Sequence, residues 1–193
     1  MAAVVLSFVL FGNGLTGRFI LDDEFVIAGN PLINYHLTDF WKIFTSPYHF
    51  NQPLSGLYRP FTIASYAVNW FIFGGSPVSF HVVNVLLHAL AVWLVFVLVY
   101  RLGSLSAAVI AALLFMFLPI HVEDVTSLVG RAEMLSFVFV VAAFYFLTRE
   151  RYGSAAAAFF LGLLSKENAL AFLPLAVLWE IWHSRRSWKR DWH

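Results

Sequence analysis

The chain has 193 residues, 61% hydrophobic and only 12% charged, with a mean hydropathy of +0.78. A soluble domain carries about 45–50% apolar and about 25% charged residues, so this composition indicates an all-α, polytopic transmembrane helical bundle. A net charge of +1 leaves no footprint for nucleic acid, and the absence of cysteine excludes disulfides and thiolate metal sites.

Ala2–Leu15 reads as a first helix. It lacks the basic flank and cleavage site of a signal peptide. It also falls short of the roughly 20 residues a span needs, so the natural chain is expected to begin upstream of Met1. Residues 17–78 form a long polar, aromatic-rich first outer loop. Turns are expected at Asn30-Pro31, Ser46-Pro47 and Gln52-Pro53, and a short helix capped by Thr38 or Asp39. Trp41, Phe44, Tyr48 and Phe50 suit the headgroup zone. Phe61–Phe73 is too short to cross and reads as an interfacial helix ending at Gly74-Gly75, with Ser65 and Asn69 at i, i+4.

Val78–Tyr100 is the strongest span, and His81, Asn84 and His88 share one face of it. Ser106–Ile120 follows, then a polar tip, HVEDVTSLVGRAE, then the returning Met134–Thr148. Ser154–His183 reads either as one helix of about 45 Å or as a hairpin broken at Lys166-Glu167. The positive-inside rule favours the hairpin, which puts Arg185, Arg186, Lys189 and Arg190 on the side of Arg149 and Arg151. The result is a single membrane domain over 1–193, with about six membrane segments and both ends inside. Asn51, Asn69 and Ser165 then face outside, and Ser104, Gly153 and Ser187 inside. Most of the acids gather on the outer face, mixed with a few cations, in the pattern of a site.

Three constellations carry chemistry. Asp22, Asp23 and Glu24 directly follow an apolar stretch. They read either as a solvated helix stop or as the source of a general base toward a hydroxyl. Adjacent side chains point to opposite sides, so one of Asp22 and Asp23 faces the site, and Asp23, farther from the apolar run, is favoured. His121, Glu123 and Asp124 form a second acidic motif, followed by Arg131 and Glu133. Glu123 and Asp124 offer hard oxygens to a divalent cation, or Asp124 pairs with Arg131 along a helix. No other cofactor is indicated. Ser165-Lys166-Glu167 marks a helix junction. Lys166 and Arg131 on one membrane face suit a lipid phosphate, though Lys166 also reads as a snorkelling side chain. His81 and His88 read as polar contacts between helices.

The ordered set DDEFVI (Asp22–Ile27), Asn30-Pro31, YRP (Tyr58–Pro60), FHVVNVLLHA (Phe80–Ala89), LPIHVEDV (Leu118–Val125), VGRAE (Val129–Glu133) and LLSKE (Leu163–Glu167) resembles the N-terminal membrane module of a known family. These are the transmembrane and tetratricopeptide-repeat O-mannosyltransferases and their bacterial relatives, with the C-type (GT-C) glycosyltransferase fold. The resemblance covers about residues 17 to 180. It implies inverting transfer of a sugar, mannose, from a polyprenyl-phosphate donor to a hydroxyl acceptor such as protein Ser or Thr. The site would lie on the outer or lumenal face of a bacterial plasma membrane or the endoplasmic reticulum. By the resemblance, Asp22 or Asp23 is the base, Arg131 and Lys166 hold the lipid phosphate, and Glu123 belongs to the second acidic motif. Glu24, Arg59, His88, Glu133 and Glu167 are supporting residues. The chain departs from the family in having no tetratricopeptide repeats and fewer membrane segments. It is therefore expected to be an N-terminal fragment of a larger fold, inactive alone. A lipid-linked sugar flippase or scaffold is the alternative.

Overall fold

A computed structural model of the protein describes residues 1–34, 37–50 and 56–190, and the side chains of these apart from residues 37–39 and 184–190. The expected turn at Gln52-Pro53, the cap at Thr38 or Asp39, and the placements of Asn51 and the Ser187 side chain lie outside what is described. Among the described residues every regular element is helical.

Helix α1 (Ala2–Phe11) tightens into a 3-10 turn at Gly12–Thr16. A π-type turn at Glu24–Ala28, the one-turn α2 (Pro31–Asn34) and a 3-10 stretch at Leu37–Thr45 follow. Asn30 forms the expected turn, its Oδ1 accepting from the Leu32 amide at 3.0 Å. Then come α3 (Pro60–Phe73), α4 (Pro77–Leu102) and α5 (Leu105–Phe117). The prolines of α3 and α4 occupy first-turn positions, where a missing N–H costs nothing. Gly74 ends α3 at φ +69°, a conformation open to glycine. Ser104 Oγ caps α5 by accepting from the Ala107 amide at 3.2 Å.

The polar tip is not one helix. It forms α6 (His121–Thr126) and a 3-10 turn at Leu128–Gly130, with Ser127 extended between them. Asp124 and Arg131 therefore do not share a helical face, and the i, i+7 pairing expected of a continuous helix does not form. α7 (Arg131–Leu147) returns through the bundle.

The hairpin is the correct reading of the last segment. α8 (Tyr152–Ser165) stops where Lys166 turns extended, with φ −162° and ψ 146°. A 3-10 turn at Glu167–Ala171 leads into α9 (Phe172–Arg190). Phe159 packs on Phe172 at 5.0 Å and Phe144 on Trp179 at 5.7 Å, and His183 lies 3.8 Å from Glu150. These contacts bring the end of α9 back to the start of α8.

The first loop is not a loose connection. Val26, Ile27, Ile33, Ile43 and Tyr48 are buried together with Tyr66 of α3, Phe80 of α4 and Leu128 of the tip. A second cluster joins α7, α8 and α9, and a third joins α1, α4 and α7 through Phe11, Val85 and Met134. Pro77–Leu102 and Leu128–Leu147 are long and apolar enough to cross a bilayer. Ala2–Thr16, Leu105–Phe117 and Tyr152–Ser165 are apolar but shorter. Two such spans, not six, are thus met by length and composition among the described residues.

Candidate functional site

The polar centre of the fold is Arg131, which is fully buried. Its Nε donates to Asn84 Oδ1 at 3.0 Å, and Nη1 donates to the Ser65 carbonyl at 3.3 Å. Nη2 donates to Asn69 Oδ1 at 3.0 Å and to the Phe80 carbonyl at 3.1 Å. The guanidinium also stacks over Tyr66, 4.7 Å from the ring centroid. A buried charge persists only when it is surrounded by partners, and arginine's planar fork suits so many acceptors. Arg131 thus ties α3, α4 and α7 together. Asn84 Nδ2 and the Tyr66 hydroxyl extend the network to the tip, donating to the Ser127 and Leu128 carbonyls.

The acidic triplet divides. Leu21 adopts φ +49°, uncommon for a residue with a branched side chain, and directly precedes the acids. Asp22 and Glu24 are exposed, while Asp23 is 1% exposed. Asp23 Oδ1 accepts from the Val129 amide at 3.0 Å and Oδ2 from the Ile20 amide at 3.3 Å. Asp23 clamps the first loop to the tip. Burial raises its pKa above the usual carboxylate value, opposed by the two amide hydrogen bonds and aided by nearby Asp22.

The other acids converge with two cations. Asp22, Arg59, Glu123, Asp124, Glu133 and Lys166 line one open cleft of about 290 Å³, with Tyr48 beside them. They come from five stretches of chain: the first loop, the entry to α3, α6 with both Glu123 and Asp124, the start of α7 and the α8–α9 break. Arg59 makes a forked pair with Glu167, Nε to Oε2 at 3.1 Å and Nη2 to Oε1 at 2.6 Å. That partner lowers the Glu167 pKa. Arg59 also lies over the Tyr48 ring, whose hydroxyl burial pushes up to about 12. Lys166 Nζ pairs with Glu133, whose second oxygen accepts from Asn168 at 3.0 Å. Burial first, and then the charges of Glu133 and Glu123, raise the pKa of Asp124. Gly130 closes the cleft floor, where an added Cβ would overlap the Asp124 backbone carbonyl.

The structure therefore gathers Asp22, Arg59, Glu123, Asp124, Glu133 and Lys166, with Glu167 paired to Arg59. Glu24 is not among the cleft-lining residues. Asp23 and Arg131 are not among the cleft-lining residues and serve as ties between segments. His88 and His121 form a neighbouring pair, their rings 5.6 Å apart. Among the described residues, no group of three or more His, Asp or Glu side chains converges closely enough to hold a metal ion. Sequence reading did not identify the Arg131 network. Its signal was present in Ser65 and Asn69, and in Asn84, as polar residues on otherwise apolar helices.

Comparison with known proteins supplies the family. A family model described as Dolichyl-phosphate-mannose-protein mannosyltransferase matches residues 60–193. The chain is 36% identical to Protein O-mannosyl-transferase Tmtc1 of Drosophila melanogaster over 91% of its own length and 22% of the relative's. It is 32% identical to Protein O-mannosyl-transferase TMTC3 of Homo sapiens, over 86% of this chain and 17% of the relative. It is 30% identical to Protein O-mannosyl-transferase TMTC4 of Homo sapiens, over 91% and 28%. The chain thus spans less than a third of the length of each of these relatives. No solved structure matches it.

Proposed function

The chain belongs to the dolichyl-phosphate-mannose-protein mannosyltransferase family, and from that premise we propose that it carries donor-binding and catalytic residues of a membrane mannosyltransferase. The donor is a polyprenyl-phosphate sugar and the acceptor a hydroxyl, such as protein Ser or Thr. The observation that carries this reading is the cleft, where four acids and two cations from separate segments meet. Asp22, exposed at its edge, is the general base: it takes the proton of the acceptor hydroxyl as that oxygen attacks the sugar's anomeric carbon. The bond from that carbon to the phosphate oxygen breaks, and the lipid phosphate leaves with the electron pair. Attack opposite the leaving group inverts the centre.

Lys166 and Arg59 are the cations for the phosphate, because both line the cleft while the donors of Arg131 are engaged inside the fold. Each is already paired with a carboxylate, so the phosphate exchanges for Glu133 or Glu167. The six-segment topology, with the cleft on the outer or lumenal face, belongs to the same proposal. A flippase is not favoured: α4 and α7 carry charges only in their terminal turns, and α5 and α8 carry none.

The test uses the full-length protein. Asp22→Asn keeps size and removes the charge, and turnover is expected to fall by about 10²–10⁴-fold with donor affinity nearly intact. Lys166→Ala is expected to weaken donor binding by about 1.5–3 kcal/mol. Near-normal turnover in Asp22→Asn, with unchanged donor affinity in Lys166→Ala, would remove the cleft from the mechanism.

A further inference from the structure

A phosphate that takes Arg59 must first displace the group that holds it. Glu167 grips the guanidinium through two hydrogen bonds, from Nε at 3.1 Å and from Nη2 at 2.6 Å. Glu167 stands on a 3-10 turn with its side chain 53% exposed, so it can turn into water when a competing anion arrives. Arginine has a long side chain with many rotamers, and once released it would lose its aim. Something other than Glu167 has to keep it at the cleft.

Tyr48 is placed to do so. Arg59 Cζ lies 4.9 Å from the centroid of the Tyr48 ring. A cation is attracted to the face of an aromatic ring, and a guanidinium laid on that face keeps its N–H edge for an anion. The ring and a phosphate therefore do not compete for Arg59, whereas Glu167 and a phosphate do. Tyr48 is itself held firmly. It is 3% exposed, in the core cluster that contains Ile43 and Tyr66. Its amide donates to the Leu57 carbonyl at 2.8 Å, which fixes the chain two residues before Arg59. Its hydroxyl interacts with that of Tyr66, whose O–H donates to the Leu128 carbonyl at 2.9 Å and whose ring lies 4.7 Å from Arg131 Cζ. Arg59, Tyr48, Tyr66 and Arg131 thus form a run from the cleft wall into the buried polar centre. Lys166, by contrast, is a flexible point charge paired with Glu133. Arg59 on its ring gives the phosphate a fixed point, and Lys166 follows it.

We propose that Tyr48 is a positioning residue for the donor: its ring face keeps the Arg59 guanidinium at the cleft wall while the lipid phosphate takes the place of Glu167. The proposal rests on the assignment of Arg59 to the phosphate and deepens it. Tyr48 acts on the donor through Arg59 alone.

The experiment measures binding of dolichyl phosphate to the full-length protein, per folded molecule. Tyr48→Phe keeps the ring face and is expected to bind within about twofold of wild type. Tyr48→Leu is expected to weaken binding about three- to tenfold. The double substitution supplies the readout that a merely structural role would not move. With Arg59→Ala in place, Tyr48→Leu is expected to add no further loss, because the ring then has no cation to hold. Should leucine lower the folded yield, Tyr48→Met fills the volume without a ring face and carries the same comparison. Three results each overturn the positioning role and leave the transferase reading standing: wild-type affinity without the ring, a loss in Tyr48→Phe as large as in Tyr48→Leu, or the same loss with and without Arg59. Wild-type affinity in Arg59→Ala removes Arg59 from the phosphate, and the positioning role with it.

Discussion

At the scale of single residues, Asp22 and Asp23 are alike in sequence and opposite in surroundings. Asp23, expected as the base for its distance from the apolar run, is the buried one of the two, and Asp22 is the exposed one. Leu21 at φ +49° turns the chain so that Asp23 goes inward and Asp22 toward the cleft. Glycine or asparagine usually marks such a position, so leucine gives no notice of it. Asp23→Asn places an amide N–H₂ against one of two backbone donors and should cost about 1–3 kcal/mol of stability. The pH dependence has a definite sign. The folded-state pKa of Asp23 is raised above 3.8, so its stabilising contribution is largest when the group is protonated and declines as pH rises through the raised value. The thermal-stability excess of wild type over Asp23→Asn in detergent should therefore shrink as pH rises from 3.8 through the raised value. An excess that grows over that range contradicts the assignment. Arg131 teaches the same lesson from the other sign of charge. A buried arginine and a phosphate-binding arginine have the same letter, and only the unexplained Ser65, Asn69 and Asn84 hint at the difference. Arg131→Ala leaves those acceptors without a donor and should destabilise the fold by about 3–5 kcal/mol. A stable Arg131→Ala protein with weakened donor binding alone would return the residue to the phosphate.

At the scale of elements, helix ends decided what could be read. Proline, glycine and serine at the starts and stops of α3, α4 and α5 made those helices legible, and extended Lys166 split α8 from α9 where charge had suggested it. The tip was harder. Nothing in HVEDVTSLVGRAE says that the helix stops at Thr126 and restarts at Arg131, because the break is stabilised from elsewhere. Asp23 accepts the Val129 amide, and Asn84 and Tyr66 donate to the carbonyls of Ser127 and Leu128. Gly130 allows the two short pieces to close on each other. Its φ is −59°, so alanine is conformationally acceptable there, and the obstacle is space alone. The clash is with backbone, which cannot rotate away as a side chain can. Gly130→Ala should therefore push the Asp124 backbone outward, costing about 1–3 kcal/mol of stability and disturbing the second acidic motif. Turnover falling further than stability explains, measured well below the unfolding midpoint, is the expected result. Wild-type turnover in Gly130→Ala would mean that the position of Asp124 is unimportant.

At the scale of the whole molecule, the question is which face of the membrane holds the cleft. Composition points to the all-helical class that the fold shows, and the charge pattern leads to an expectation, with both ends inside, that a topology measurement can test. Length is less decisive, since α5 and α8, at 13 and 14 residues, reach only about 20 Å. A bilayer core is about 30 Å thick, so such helices cross only where the membrane thins or where flanking segments extend them. Not every residue assigned a side from the charge pattern can report it. Asn69 and Ser165 are buried, the former against Arg131, so cysteine there would report burial rather than sidedness. Asn168, beside the cleft through Glu133, is exposed, and so are Ser104 and Gly153 at the opposite ends of their helices. Single cysteines at Asn168, Ser104 and Gly153 in the full-length protein, probed with an impermeant thiol reagent, should separate into two groups. Asn168→Cys should label from the outer or lumenal side, and Ser104→Cys and Gly153→Cys only after the membrane is opened. The hairpin makes this a stringent expectation, because Gly153 and Asn168 lie at the two ends of α8. If both label from the same side, α8 does not cross, and the six-segment arrangement fails even though the cleft survives.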